Sequence, residues 1–95
     1  MEFEWDPAKA AANARKHGVE FVEAMTVFAD PLEVTISDPD HSEGEARFLS
    51  LGVSVAGRLL VVAYTERAGR TRIITAREAS AQERKNYEST TPRHR

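Results

Sequence analysis

The sequence predicts an α+β domain: a short N-terminal strand and two helices packed on an antiparallel four-stranded sheet, with a further helix at the C-terminus. Three observations predict it. Apolar residues recur at three- and four-residue steps before Pro31 and at two-residue steps after it. Two short turn sequences, Ala56-Gly57 and Ala68-Gly69, divide the later alternating runs into consecutive hairpin strands. A capping box, Ser80-Ala81-Gln82-Glu83, then opens a helix after the last strand.

Each element has a local cause. Phe3 and Trp5 alternate with Glu2, Glu4 and Asp6, which is a short strand pattern. Asp6 is the N-cap and Pro7 the first residue of a helix continued by the strong formers Ala8 to Lys16 and ended at His17-Gly18. Phe21, Ala24, Met25 and Phe28 give a second helix over 20–28, closed by Asp30-Pro31. Leu32, Val34 and Ile36 then alternate with Glu33, Thr35 and Ser37, and Leu49, Leu51, Val53 and Val55 alternate with Ser50, Gly52 and Ser54. Each of these strands has one apolar face and one small polar face. Asp38 to Gly44 is a loop by composition, and the C-terminal helix runs to about Tyr87 or Glu88.

The turns predict a register. With Ala56-Gly57 as a two-residue loop, Val53 faces Leu60, Leu51 faces Val62, Leu49 faces Tyr64 and Arg47 faces Glu66. Leu51 and Tyr64 are then core residues. For the second turn, a two-residue Ala68-Gly69 loop puts Arg77 on the face of Glu66, whereas a three-residue loop ending at Arg70 puts it beside Arg67. The longer loop is preferred because it sends Ile74 and Ala76 inward and buries no arginine, at the cost of leaving Ile73 on the polar face.

Length and composition bound the rest. Ninety-five residues with 41% apolar content make a single domain, expected over 1–88, with STTPRHR at 89–95 a disordered tail. The longest apolar run, Leu59 to Tyr64, is far too short to span a membrane, and the acidic start differs from a basic signal peptide. No cysteine is present, which excludes disulfides and thiolate chemistry and fits a cytoplasmic protein. His41, in the acidic loop, lacks a repeated ligand spacing, so no metal or other cofactor is expected. The net charge of −2 excludes indiscriminate coating of nucleic acid. Yet Arg58, Arg67, Arg70, Arg72 and Arg77 stand together against one acid, Glu66, within a single hairpin. Their planar forks suit phosphate oxygens, so an anionic ligand such as RNA is expected to be met locally.

WDPAKAAANARKHGVEF at 5–21, VFADP at 27–31, DHSEGEAR at 40–47, GRLLVVAYTER at 57–67 and RIITAREASAQERKNY at 72–87 together resemble the BrnT family of bacterial toxins. The resemblance covers nearly the whole chain in order. It implies a RelE-like fold, metal-independent cleavage of RNA with inhibition of translation and growth, and neutralisation by a BrnA-like antitoxin. That antitoxin carries a ribbon-helix-helix domain, so any DNA operator is met only indirectly.

Metal-free RNA cleavage needs a base for the 2′-OH, cationic donors on the phosphate and a proton for the leaving 5′-oxygen. Arg67 and Arg77 suit the phosphate, although solvated strand arginines look the same in sequence. Glu66 is a candidate base, weakened if it faces Arg47. Lys16, at the end of the first helix, is a candidate catalytic residue that equally complements the helix dipole. His17 suits acid–base work or simple capping. Tyr64 alternates with Val62 and Leu60 and is a core residue before it is a stacking platform. Two functions of different class fit these residues: a ribonuclease toxin, and a non-catalytic module whose basic hairpin docks an acidic partner or nucleic acid.

Overall fold

The computed structural model describes residues 1–38 and 44–90, so His41 and most of its loop lie outside the described residues. The first helix, α1 (Pro7–His17), is bounded as its caps require. The Asp6 carboxylate accepts the Ala8 N–H at 2.9 Å, and Gly18 closes the last turn at φ +70° with its N–H on the Ala14 carbonyl at 2.9 Å. The second helical segment divides in two. α2 (Phe21–Ala24) tightens into a 3₁₀ turn, Met25–Ala29, where the Thr26 hydroxyl donates to the Glu23 carbonyl at 2.6 Å.

The sheet has five strands where the sequence predicts four. β1 (Glu2–Glu4) runs parallel to β5 (Arg70–Glu78), followed by β4 (Leu59–Arg67), β3 (Arg47–Val53) and β2 (Val34–Ser37), all antiparallel, in the order β1-β5-β4-β3-β2. A three-residue strand satisfies its backbone only at a sheet edge, and there Glu4 also meets Arg72 at 3.0 Å. The C-terminal helix, α3 (Ala81–Thr90), starts at the predicted capping box. Ser80 Oγ accepts the Glu83 N–H at 3.2 Å, and a Glu83 carboxylate oxygen accepts the Ser80 N–H at 2.8 Å. This helix continues past the boundary expected at 88, and residues 91–95 lie outside the described residues.

The β3–β4 register differs from the expected one by a single residue, and the whole strand turns over as a result. Arg47 faces Thr65, Leu49 faces Ala63, Ser50 faces Val62, Leu51 faces Val61 and Gly52 faces Leu60. The cause is the loop. It has three residues, Val55-Ala56-Gly57, with Gly57 at φ +82°, its N–H on the Ser54 carbonyl at 2.9 Å and the Ser54 N–H on the Arg58 carbonyl at 2.8 Å. The Ser54 hydroxyl fixes this geometry, accepting the Ala56 N–H at 3.2 Å while donating to the Glu23 carboxylate at 2.6 Å.

Ser50, Gly52 and Ser54 therefore face the core, and Leu49 and Leu51 face away from it. Small residues are needed inside because the 3₁₀ turn lies flush on β3: a Cβ on Gly52 would stand 2.9 Å from Val27 Cγ1. Buried Ser50 is satisfied by donating to the Glu33 carboxylate at 2.6 Å. The core consists of Val19, Phe21, Ala24, Val27, Leu60, Val62, Ile73 and Ala76, with Phe3, Trp5, Ala10, Met25 and Phe28 packed around it. Tyr64 is buried as expected, its ring 5.0 Å from Phe28 and 5.6 Å from Phe48.

The second hairpin also departs from the preferred register. Its loop is the two-residue Ala68-Gly69, both at positive φ (53° and 80°), and Arg67 pairs with Arg70. That loop alone would place Arg77 with Glu66. A bulge at Ile74, however, lets Tyr64 pair with Ile73 and Ala63 with Thr75, so Arg77 faces Val61 and returns to the side of Arg67. Ile73 rather than Ile74 is consequently the core residue.

Candidate active site

The sheet face opposite the core is shared between two surfaces. Beneath α3, Val34, Ile36, Leu49, Leu51 and Val61 form an apolar hollow closed on one side by Glu83 and Asn86. The remainder carries lysines and arginines among acidic, polar and apolar residues. Three adjoining hollows there have Arg47 in common. Lys9, Glu45, Thr65, Arg67, Arg72 and Ile74 complete the first, of about 290 Å³. Lys9, Lys16, His17, Ile74 and Thr75 border the second, of about 310 Å³. Asp38, Thr75 and Arg77, with apolar Leu49, Val61 and Ala63, line the third, of about 320 Å³.

α1 becomes a wall of this groove through Asn13. That side chain is buried, accepts the Ala76 N–H at 3.1 Å, and donates to the Ala76 carbonyl at 2.8 Å and to the Val19 carbonyl at 2.9 Å. It takes the place of a neighbouring strand where β5 has run past β1. Lys9 and Lys16 sit four residues before and three residues after Asn13, so pinning Asn13 sets both lysines on the groove edge. His17 follows them into the same hollow.

The arginines of the hairpin do not form an uncompensated patch. Each is met by carboxylates from elsewhere in the chain. Arg67 holds Glu45 with two bonds, 3.1 and 2.9 Å, and Arg77 holds Glu83 with two, 2.8 and 2.9 Å. Arg72 meets Glu4, Arg70 meets Glu2 and Glu4, and Arg58 meets Glu23 and Glu78. The Arg77 fork and the Ser80 N–H hold Glu83 down at about 2 against the opposing effect of burial, and Arg67 likewise holds Glu45 below the usual carboxylate range. Arg58 also donates to the Gly18 carbonyl at 3.1 Å, tying α1 and α2 to the sheet away from the groove.

Arg67, Lys16 and Arg77 each line a different one of the three hollows that share Arg47, and two expectations change. Arg67 and Arg77 are offset by six residues along β4, since Arg77 faces Val61. At about 3.3 Å per residue that is roughly 20 Å, so the two cannot grip one phosphate. Glu66 does not face Arg47. It pairs with Thr71, whose hydroxyl donates to it at 3.3 Å, and it projects to the opposite sheet face from Arg67. Arg47 and Lys9 are the groove residues that sequence reasoning passes over. The stripe of Lys9, Asn13 and Lys16 on α1 is the signal that points to Lys9, whereas the position of Arg47 follows only from the three-residue loop.

A family model described as the ribonuclease toxin BrnT of type II toxin-antitoxin systems matches residues 5–83, a span that contains every groove residue named above. The 1.1 Å crystal structure of the Brucella abortus ribonuclease toxin BrnT is similar in fold, with a TM-score of 0.63 at 20% sequence identity, covering 84% of this chain and 97% of that one. No curated protein sequence matches the chain.

Proposed function

The chain belongs to the BrnT family of ribonuclease toxins of type II toxin-antitoxin systems, and we propose that it cleaves RNA in the groove centred on Arg47 and so inhibits translation and growth. Family membership supplies the activity class and the existence of an antitoxin partner. The observation that carries the assignment of the site is the meeting of three hollows at Arg47, with Arg67 at one end, Arg77 at the other and Lys9 and Lys16 along the α1 wall. A single RNA strand laid along that length presents several phosphates in turn. Arg47 and Lys9 then hold the scissile phosphate, and Arg67 and Arg77 hold its neighbours after releasing Glu45 and Glu83. Glu66, on the other face, takes no part in this arrangement.

The chemistry fits a metal-independent, RelE-like nuclease of the cytoplasm. A groove walled by lysines and arginines repels a divalent cation while stabilising the extra negative charge of a pentacoordinate phosphate. Among the described residues no group of three or more His, Cys, Asp or Glu side chains could hold a metal ion, and no helix is long and apolar enough to cross a membrane. The partner fits a BrnA-like antitoxin with a ribbon-helix-helix domain, whose acidic segment replaces Glu45 and Glu83 on the arginine forks. The same carboxylate-filled forks favour one other reading, a docking module for an acidic partner without catalysis.

Incubation of the purified chain with RNA in EDTA separates the two. Cleavage leaving 2′,3′-cyclic phosphate or its hydrolysis product is expected. RNA that is bound but never cut would transfer the case to the docking module.

A further inference from the structure

With Glu66 on the opposite face, no carboxylate among the described residues lines the hollow shared by Lys9, Lys16 and Arg47, and the geometry points to His17 as the group that takes the 2′-OH proton. The inference rests on the ribonuclease function proposed above. His17 borders the hollow of about 310 Å³ that also holds Lys9, Lys16, Arg47 and Thr75. It is half-buried on the last turn of α1, where Asn13 and the Gly18 cap fix the backbone. Its position is therefore set by the element that forms the groove wall, as a proton-transfer group requires.

Among the described acids of this face, Asp38 lines the hollow of Arg77 and not that of His17, and the other two are engaged by arginines. Glu45 is gripped by Arg67 and Glu83 by Arg77, and both are held below the ordinary carboxylate range, which weakens them as bases. The charged groups that line the same hollow as His17 are Lys9 and Lys16 from its own helix and Arg47 from β3. β5 contributes only Ile74 and Thr75 to that hollow. Arg58 lies behind, bonded to the Gly18 carbonyl and neutralised by Glu23 and Glu78.

The step balances on residues of this chain. Neutral His17 takes the 2′-OH proton, and the 2′-oxygen forms its bond to phosphorus. The bond from phosphorus to the 5′-oxygen breaks, and that oxygen takes a proton from the Lys16 ammonium. Solvent water then returns a proton to Lys16 and removes one from His17. Arg47 and Lys9 hold the phosphate throughout and exchange no proton.

The test compares wild type, His17→Ala and His17→Gln by single-turnover cleavage of one RNA in EDTA between pH 5 and 8, alongside thermal melting and binding of the same RNA carrying 2′-O-methyl groups. Both variants are expected to lose about 10²- to 10⁴-fold in rate and the rise of rate with pH, while keeping wild-type affinity for the methylated RNA. Added imidazole should partly restore the Ala variant, an effect that loss of a helix cap would not produce. Variants that melt and cut like wild type with an unchanged pH profile would overturn the assignment of His17 and leave the ribonuclease function intact. A wild-type chain inert toward RNA in EDTA would overturn both.

Discussion

Arg47 and Arg67 carry the same charge on the same sheet face, yet their surroundings predict different consequences of removal. Arg67 is half-exposed at the hairpin tip with its fork on Glu45, so Arg67→Ala exposes a carboxylate at one end of the groove. Weaker RNA binding with little change in the rate of bound substrate is expected. Arg47→Ala should instead lower the single-turnover rate on the order of 10²-fold, because Arg47 stands where the three hollows meet. The same decline in rate from both variants would mean that the scissile phosphate lies nearer the tip. Two leucines test the packing. Leu60 is fully buried and Leu60→Ala should cost about 2–5 kcal/mol, whereas half-buried Leu51 on the α3 side should cost only about 1–2 kcal/mol. Denaturant melts showing the reverse order would mean that the faces of the sheet are exchanged.

Among the elements, the β4–β5 hairpin carries a strain that can be removed. Ala68 is held at φ +53°, in the left-handed region, beside Gly69 at φ +80°. A left-handed L-residue costs about 1–2 kcal/mol, part of which the greater unfolded-state freedom of glycine offsets. Ala68→Gly should therefore stabilise the protein by about 0.5–1 kcal/mol in urea melts, and a loss would show that the alanine methyl has a packing role. α3 offers a functional test. Glu83 serves both the capping box and the Arg77 fork. Glutamine keeps the cap but not the charge, so Glu83→Gln should leave α3 in place by circular dichroism and tighten RNA binding by freeing Arg77. Unchanged affinity would place the RNA away from that end of the groove.

For the molecule as a whole, the shifted carboxylates set a direction for acid stability. Glu23 is held low by Arg58, Glu83 by Arg77, and Asp30 by the Tyr87 hydroxyl and two backbone N–H groups that outweigh its burial. Each folded pKa lies below its unfolded value, so the stabilisation is complete above the unfolded values near 4 and is lost as pH falls through the folded ones, about 2 for Glu83. The melting temperature should be flat from pH 7 to about 5 and decline from there toward pH 2. The Glu83–Arg77 pair is part-exposed, so its share is of the order of 1 kcal/mol after solvent screening, and the decline should be shallower in Glu83→Gln. A melting temperature that rises on acidification would contradict these pairings.

The sequence by itself determined the kind and order of the elements: the Asp6 and Gly18 caps, the capping box at Ser80, the change of period at Pro31 and the two hairpins are all decided within a few neighbouring residues. It also carried the family resemblance, and it offered Arg67, Arg77 and Lys16 as candidates for the site. Which side of β3 faces inward was decided by the tertiary structure. Strand side chains alternate, so one extra loop residue turns every one of them over, and that residue is selected by the bond from Ser54 to Glu23 and by the fit of Val27 against Gly52. The alternation of Leu49 and Leu51 with Ser50 and Gly52 is identical in either orientation. The same holds for the charges. An arginine-rich hairpin is visible in the chain, but its neutralisation by Glu2, Glu4, Glu45 and Glu83, and the meeting of Arg47 with Lys9 and His17, bring together residues far apart in sequence. Such meetings follow from the packing of α1 on β5, because only packing places distant side chains in one groove.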